Sequence, residues 1–239
     1  IGAVLGISVV ALTAWLRPFP AGEAALTALE PDAAVTVVET PTLLILEPVS
    51  GASTTGLVFQ PGARVDPRAY AAVLRPVAEA GYPVVIVKQP LAIGFLALGA
   101  VDQARAAVPD VTGWVVGGHS LGGTVAAIDA DAEQDAADAP TVGLLLFASY
   151  PASDLSQSLR IPVASISGTQ DGLSTPAKIN ESAELLPADT VFTVLDGVSH
   201  AQFGDYGLQP GDGVATVDDS LARAEIAAAS LEFLADIRP

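Results

Sequence analysis

The residues of this 239-residue chain that could do chemistry are one serine and the only two histidines, His119 and His200. Ser120 lies in the pentapeptide 118–122 (G-H-S-L-G), which fits the G-x-S-x-G pattern of a nucleophile elbow. A serine hydroxyl becomes an effective nucleophile when a positioned base, most often histidine, accepts its proton. His119 is covalently adjacent to Ser120, and its side chain leaves the turn in another direction. His200 is therefore the predicted base.

A carboxylate that orients this base is expected between the serine and the histidine in chain order. Asp171 follows a predicted strand, Ile161–Ser167, within the sequence G-T-Q-D-G. The carboxyl end of a parallel strand is where such sheets keep their sites. Asp171 would accept the imidazole N–H, set the tautomer and stabilise the imidazolium. The alternatives are that Asp171 is an ordinary turn residue and that Asp196, four residues before His200, is the acid.

Two backbone N–H groups should stabilise the negative charge that develops on the substrate oxygen. Leu121, the residue after the nucleophile, is predicted to supply one of them. The second is expected from the loop after the third predicted strand, where Gly62 permits a close turn. We predict Ala63 as this donor, with Arg64 as its neighbouring alternative. A plain Pro-Gly turn is the competing interpretation of this loop.

Short apolar runs that alternate with Ala-rich stretches predict the elements around these residues. Val35–Glu39 and Leu43–Glu47 are expected to open the fold as an antiparallel pair. Asp66 followed by Pro67 is typical of a helix start. The remaining pattern implies a mainly parallel sheet with right-handed crossovers. Further strands are predicted at 56–60, 82–88, 113–117, 142–147, 161–167 and 190–195, and helices at 66–80, 100–108, 124–130, 176–185 and 218–234.

The composition restricts the classes of function. Hydrophobic residues make up 51% and charged residues 15% of the chain, which suits one compact domain with buried parallel strands. A net charge of −17 with only ten Lys and Arg argues against a nucleic-acid partner. The chain has no Cys, so disulfides, thiolate nucleophiles and Cys-based metal sites are excluded. We expect no metal site and no cofactor, although carboxylate-bound calcium stays open.

The segment Ile1–Leu16 contains no charged residue and precedes Arg17–Pro20, which is predicted to be a stop and short linker. A helix of these 16 residues would span about 24 Å, and a helix that crosses a bilayer has roughly 20 residues, so the segment is slightly short. We interpret residues 1–20 as a membrane anchor with its linker and residues 21–239 as the catalytic domain. The location would be the cell membrane or envelope, with that domain outside the cytoplasm. An uncleaved signal-peptide core and a helix packed on the domain are the alternatives.

Four sequence blocks resemble the α/β-hydrolase superfamily and, within it, a compact family of membrane-anchored serine hydrolases. They are P-G-x-x-V-D-P-x-x-Y at 61–70, G-H-S-L-G-G at 118–123, G-T-x-D-G at 168–172 and H-A-Q-F-G-D-Y-G at 200–207. The resemblance covers residues 30 to 237 and implies the α/β-hydrolase fold, a mainly parallel twisted sheet flanked by helices. Val198-Ser199 departs from the more usual Gly-Asn pair, which concerns the shape of the histidine loop.

The expected function is that of a serine hydrolase that cleaves carboxylic esters through an acyl-enzyme. Residues 148–160 are too few for a cap domain, so the site should be open, flanked by Leu91–Leu98, and suited to short or medium acyl groups. Phe203 and Tyr206 are expected walls of the site, although Phe203 could equally belong to the core. Lys88 is either structural or substrate-facing. An amidase, a thioesterase and a silent binding protein on the same scaffold are the rival functions, and the oligomeric state stays open.

Overall fold

An eight-stranded sheet organises residues 17–237, the part of the chain that the computed structural model describes. The strand order is β1-β2-β4-β3-β5-β6-β7-β8. The pairs β1–β2 and β2–β4 are antiparallel, and every other neighbouring pair is parallel. The predicted antiparallel opening and mainly parallel sheet are confirmed. The strands are β1 Val35–Glu39, β2 Leu43–Pro48, β3 Thr55–Gln60, β4 Val84–Val87, β5 Gly113–His119, β6 Thr141–Phe147, β7 Val163–Gly168 and β8 Val191–Leu195.

Helices cover both faces of the sheet. The α-helices are α1 Glu23–Thr27, α2 Ala71–Glu79, α3 Ala100–Ala107, α4 Leu121–Glu133, α5 Pro176–Ser182 and α6 Asp219–Asp236. Helices α2 and α6 pack on one face, and α3 and α4 contribute to the core on the other. Short 3₁₀ turns occupy Pro67–Tyr70, Pro90–Ala92, Gly94–Ala97, Ala183–Leu185 and His200–Phe203. The predicted start at Asp66 is present as a cap, because its carboxylate accepts the N–H of Arg68.

The central strands are apolar along their whole length because both of their faces are covered. Every residue of β3, β4 and β5 is buried, as parallel strands between two helical layers require. The edge strand β8 exposes Val191 and Val194. The parallel strands carry their carboxyl ends to one edge of the sheet, and the sequence elements predicted to do chemistry all follow those ends.

The chain enters the domain through Phe19, two residues before the expected domain boundary. Phe19 pairs with Val65 in an isolated bridge; its N–H donates to Arg64 O at 2.6 Å, and its carbonyl accepts from Asp66 N at 2.9 Å. Part of the predicted linker thus packs on the domain. The predicted anchor, Ile1–Leu16, lies outside the described residues. Between residues 17 and 237, no helix has the length and apolarity needed to cross a membrane.

Candidate active site

Ser120 occupies a sharp turn between β5 and α4. Its backbone lies at φ 53° and ψ −126°, a region that residues with a side chain rarely adopt. The flanking glycines make the turn sterically possible. A Cβ atom at Gly118 would collide with the backbone of Gly122, and one at Gly122 would collide with the carbonyls of Gln60 and Pro61. The start of α4 therefore packs directly against the end of β3, and this contact presents Ser120 at the edge of the sheet.

The neighbouring strand holds this turn in place. The N–H of Ser120 donates to Phe147 O at the end of β6, at 3.0 Å. The hydroxyl of Ser149 donates to Ser120 O at 2.6 Å. The contact joins residues 29 positions apart, so nothing in the local pattern around Ser149 indicated it. Ser149 thus fixes the backbone that carries Ser120, the predicted nucleophile.

Asp171 and His200 meet where the loops after β7 and β8 converge. Nδ1 of His200 lies 2.8 Å from Oδ2 of Asp171, and both side chains are fully buried. The other carboxylate oxygen of Asp171 accepts the N–H groups of Leu173 and Ser174, at 2.8 and 2.7 Å. The carboxylate is therefore fixed by its own turn and can orient the imidazole.

The second ring nitrogen of His200 is the one that remains for proton transfer. Nε2 is buried and makes no hydrogen bond with any residue of the described part of the chain. The structure thus brings Asp171 and His200 into contact, whereas the hydrogen bond between His200 Nε2 and Ser120 is not formed. Such bonds are often long without substrate and shorten in the reacting complex. The ring of His119, next to Ser120, lies 4.4 Å from the His200 ring, centroid to centroid.

Asp212 joins the loops that carry Asp171 and His200. Its Oδ1 accepts the N–H groups of His200 and Gly172, each at 3.1 Å, and Oδ2 accepts that of Ala201 at 2.8 Å. The carboxylate therefore caps the 3₁₀ turn that begins at His200 and also holds the turn after Asp171. The sequence analysis missed Asp212, which lies 12 residues from His200 and 40 from Gly172.

The two predicted oxyanion donors lie on opposite sides of a close contact between α4 and the loop after β3. Leu121 is the first residue of α4, where N–H groups have no partner within the helix. In the loop, Gly62 N donates to the Tyr70 hydroxyl and Arg64 N donates to Ala92 O, each at 2.8 Å. Arg64 is therefore committed elsewhere. Because the N–H groups of Gly62 and Arg64 already have acceptors, Ala63, the residue between them, is the better candidate for the second donor.

A buried chain of hydrogen bonds connects this loop with the elbow. The Tyr70 hydroxyl, which accepts from Gly62 N, lies 2.9 Å from His119 Nδ1. When the hydroxyl donates its own proton to Nδ1, the neutral His119 ring carries its proton at Nε2. Burial, and then the nearby His200, lowers the pKa of His119 well below its ordinary value of 6.5. Burial likewise raises the pKa of the Tyr70 phenol. Both groups stay neutral at physiological pH.

A cleft of about 310 Å³ opens beside Ser120, on the β6–β7 side. A second cavity of about 420 Å³ lies under the segment that follows His200, and none of the three predicted catalytic side chains lines it. The cleft beside Ser120 is therefore the better place for a reacting group. It is lined by Ser120, Leu121, Thr124, Ser149, Tyr150 and Ser174.

The segment between β4 and α3 is the predicted flank of the site, although none of its residues lines the cleft beside Ser120. Leu91, Phe95, Leu96 and Leu98 are about half exposed or more. The segment is attached from beneath by the side-chain amide of Gln60, which donates to Ala97 O at 3.2 Å. It contacts the loop after β3 through the bond between Arg64 N and Ala92 O. The segment thus exposes an apolar surface and is held to the rest of the domain by hydrogen bonds.

The three predicted substrate-contacting side chains are committed to other contacts. Phe203 is fully buried and packs against Phe147 with ring centroids 5.8 Å apart. Tyr206 is 5% exposed, and its hydroxyl donates to Gln209. Neither lines the cleft beside Ser120, and the position of Phe203 fits the alternative that it belongs to the core. Both belong to the core cluster: Phe203 is the last residue of the 3₁₀ turn that begins at His200, and Tyr206 follows it three residues later.

Lys88 is held at the antiparallel edge of the sheet. Its Nζ atom donates to Glu39 Oε1 at 2.9 Å and to Thr40 O at 2.7 Å. The sequence left open whether Lys88 is structural or faces the substrate, and these contacts fit the structural interpretation. Asp196, the alternative acid, is exposed and accepts from the Thr169 hydroxyl at 3.0 Å, with no bond to His200. Across the described ranges no three His, Cys, Asp or Glu side chains converge as a metal site would require.

Comparison with known proteins places this geometry in a family. The model of the alpha/beta hydrolase family matches residues 56–223. Three esterase structures share the fold: one from Pyrobaculum calidifontis (18% identity, 88% of this chain and 89% of that chain, TM-score 0.61), Est2 from Thermogutta terrifontis (17%, 92% and 96%, 0.60) and one from Pseudomonas putida ECU1011 (15%, 90% and 88%, 0.64). A search among curated protein sequences finds no match.

Proposed function

Because the chain belongs to the alpha/beta hydrolase family, we propose that it is a serine hydrolase that cleaves carboxylic esters with short or medium acyl groups. The observation that carries the proposal is the 2.8 Å contact between the buried Asp171 carboxylate and His200 Nδ1, at the same sheet edge as the Ser120 elbow. The esterases with the same fold support it, although their low sequence identity establishes the fold alone.

In the proposed reaction, Ser120 Oγ attacks the ester carbonyl carbon while His200 Nε2 accepts the hydroxyl proton. Asp171 holds the tautomer in which Nε2 is basic. The negative charge on the tetrahedral intermediate is stabilised by the N–H groups of Leu121 and Ala63. His200 then returns the proton to the departing alcohol oxygen, and the acyl group stays on Ser120. Water then attacks the acyl-enzyme while His200 again accepts the proton and passes it to Ser120 Oγ, which releases the carboxylic acid and restores Ser120.

The decisive experiment combines a substrate panel with a covalent probe. p-Nitrophenyl esters of increasing acyl length, one amide and one thioester are assayed with the purified chain and with Ser120→Ala. We expect hydrolysis of acetate to hexanoate esters, loss of turnover in Ser120→Ala, and labelling of Ser120 alone by a fluorophosphonate. Preferential cleavage of the amide or thioester would favour the rival enzymes. Absence of both turnover and labelling would favour the silent scaffold.

We further propose that residues 1–16 anchor the protein in a membrane, as their uncharged, apolar composition indicates. Deletion of these residues alone should release an active domain from the membrane fraction. The deletion must spare Phe19, because its backbone bonds with Arg64 and Asp66. A deletion variant that stays with the membranes would overturn the anchor.

A further inference from the structure

Besides Ser120 itself, four of the residues that line the cleft beside it carry a hydroxyl group: Thr124, Ser149, Tyr150 and Ser174. It lies towards the ends of β6 and β7, whereas the loop after β3 lies on the other side of β5. If the carbonyl oxygen of an ester points towards Ala63, as proposed, one of the two remaining substituents of the carbonyl carbon enters this cleft. The groups that line it therefore select that substituent.

Two of the hydroxyl groups already donate hydrogen bonds to backbone carbonyls of the protein. The Thr124 hydroxyl donates to Tyr150 O at 2.9 Å, and the Ser149 hydroxyl donates to Ser120 O at 2.6 Å. Towards a bound substrate, both can act only as acceptors. They hold the walls of the cleft and offer lone pairs to it.

The other two hydroxyl groups are available as donors. Within residues 17–237, Ser174 and Tyr150 form hydrogen bonds through their backbones, and neither the Ser174 hydroxyl nor the Tyr150 phenol has a partner in the protein. Ser174 is only 6% exposed, and its N–H is used by Asp171. Its side chain is therefore held at the cleft by the turn that carries the proposed catalytic acid. A purely apolar substituent in this place would take the Ser174 hydroxyl out of contact with water and give it no partner, which is unfavourable.

We propose that the cleft is a subsite for an oxygen-bearing substituent of the ester, recognised by the hydroxyl groups of Ser174 and Tyr150. An ether or hydroxyl oxygen a few atoms from the carbonyl accepts from these donors, and a hydroxyl also donates to Thr124 or Ser149. The substrate class is therefore hydroxy- or alkoxy-substituted esters rather than plain alkyl esters. The proposal rests on the proposed esterase function and makes it more specific.

The test uses pairs of esters that differ by one oxygen in place of a methylene. p-Nitrophenyl methoxyacetate is compared with p-nitrophenyl butyrate to probe the acyl half, and 2-methoxyethyl butyrate with n-butyl butyrate to probe the alcohol half. The measured quantity is the ratio of kcat/KM values within each pair. Intrinsic reactivity cancels when the ratio of a variant is divided by that of the parent chain.

In one of the two series, Ser174→Ala and Tyr150→Phe should each lower the ratio about three- to tenfold, the effect of one neutral hydrogen bond. Ser182→Ala is the matched control, because Ser182 is equally buried and its hydroxyl donates to Ile179 O at 2.8 Å. That variant should leave the ratio unchanged.

Ratios that stay constant in both series with both variants would overturn the subsite while leaving the esterase function standing. If Ser174→Ala does not fold, Tyr150→Phe decides alone. If no ester of either series is hydrolysed, the proposed function fails and the subsite fails with it.

Discussion

The hydroxyl oxygen of Tyr70 lies 2.9 Å from Nδ1 of His119, the residue that precedes the proposed nucleophile Ser120. The same oxygen accepts the N–H of Gly62 at 2.8 Å, next to the proposed oxyanion donor Ala63. One buried phenol therefore links the loop after β3 to the elbow after β5. Because all these groups are buried, each would be left without a partner if the hydroxyl were removed.

Tyr70→Phe should lower the free energy of unfolding by about 2 kcal/mol, because two buried polar groups lose their partner. It should also lower kcat about tenfold, since the loop that carries Ala63 loses one of the bonds that hold it. Urea unfolding and steady-state kinetics measure these effects. The matched control is Tyr206→Phe, whose hydroxyl bonds to the side chain of Gln209, and its effect should be below about 1 kcal/mol. Equal effects of the two variants would contradict this role of Tyr70.

Ser120→Gly should unfold at a higher urea concentration than Ser120→Ala, although neither should turn over substrate. The backbone of Ser120 lies at φ 53° and ψ −126°, which glycine adopts without a steric penalty. Relief of this strain is worth about 1–2 kcal/mol in favour of glycine. Equal stability of the two variants would show that the elbow is not strained.

Asp171→Asn should lower kcat/KM on the order of 10⁴-fold, because the asparagine amide no longer holds the imidazole in the required tautomer. Asp196→Asn is the matched control, since Asp196 is exposed and bonds only to Thr169 among the described side chains. Its kcat/KM should change less than twofold. A damaging Asp196→Asn combined with a harmless Asp171→Asn would reverse the assignment of the acid.

Asp212→Ala should lower kcat more than tenfold and the free energy of unfolding by about 2 kcal/mol, because the N–H groups of His200 and Gly172 lose a charged acceptor. KM should change much less, since Asp212 does not line the cleft beside Ser120. Asp154→Ala removes another loop carboxylate that accepts a backbone N–H, and it should leave kcat unchanged. A change confined to stability would limit Asp212 to a purely structural role.

The stability of the protein should fall as the pH is lowered from 7.5 to 5.5. The folded-state pKa of His119 is depressed well below 6.5, so the unfolded chain binds a proton that the folded chain does not. The stabilisation is therefore complete above about 6.5 and is lost below it, by at most about 1.4 kcal/mol per pH unit. Urea unfolding at several pH values measures this slope. In His119→Gln the slope should be smaller by this amount, and an unchanged slope would contradict a neutral, buried His119.

The sequence by itself determined the candidates for catalysis and the positions of the main strands along the chain. Only two histidines exist, and one is adjacent to Ser120, so a single base remained for the elbow serine. Chain order and a strand end then singled out Asp171, and the structure brings its carboxylate to His200. The strands were predictable because parallel strands buried on both faces are continuous apolar runs, a local property of the chain.

Only the tertiary structure decided which other groups support the site. The contacts of Ser149, Tyr70 and Asp212 join residues 29, 49 and 40 positions apart, and no local pattern encodes such a pairing. The local sequence also did not decide the position of Phe203, because an aromatic residue three positions after His200 fits a substrate wall and a core equally well. Its place followed from the direction of a 3₁₀ turn, which packing against Phe147 and His119 selects.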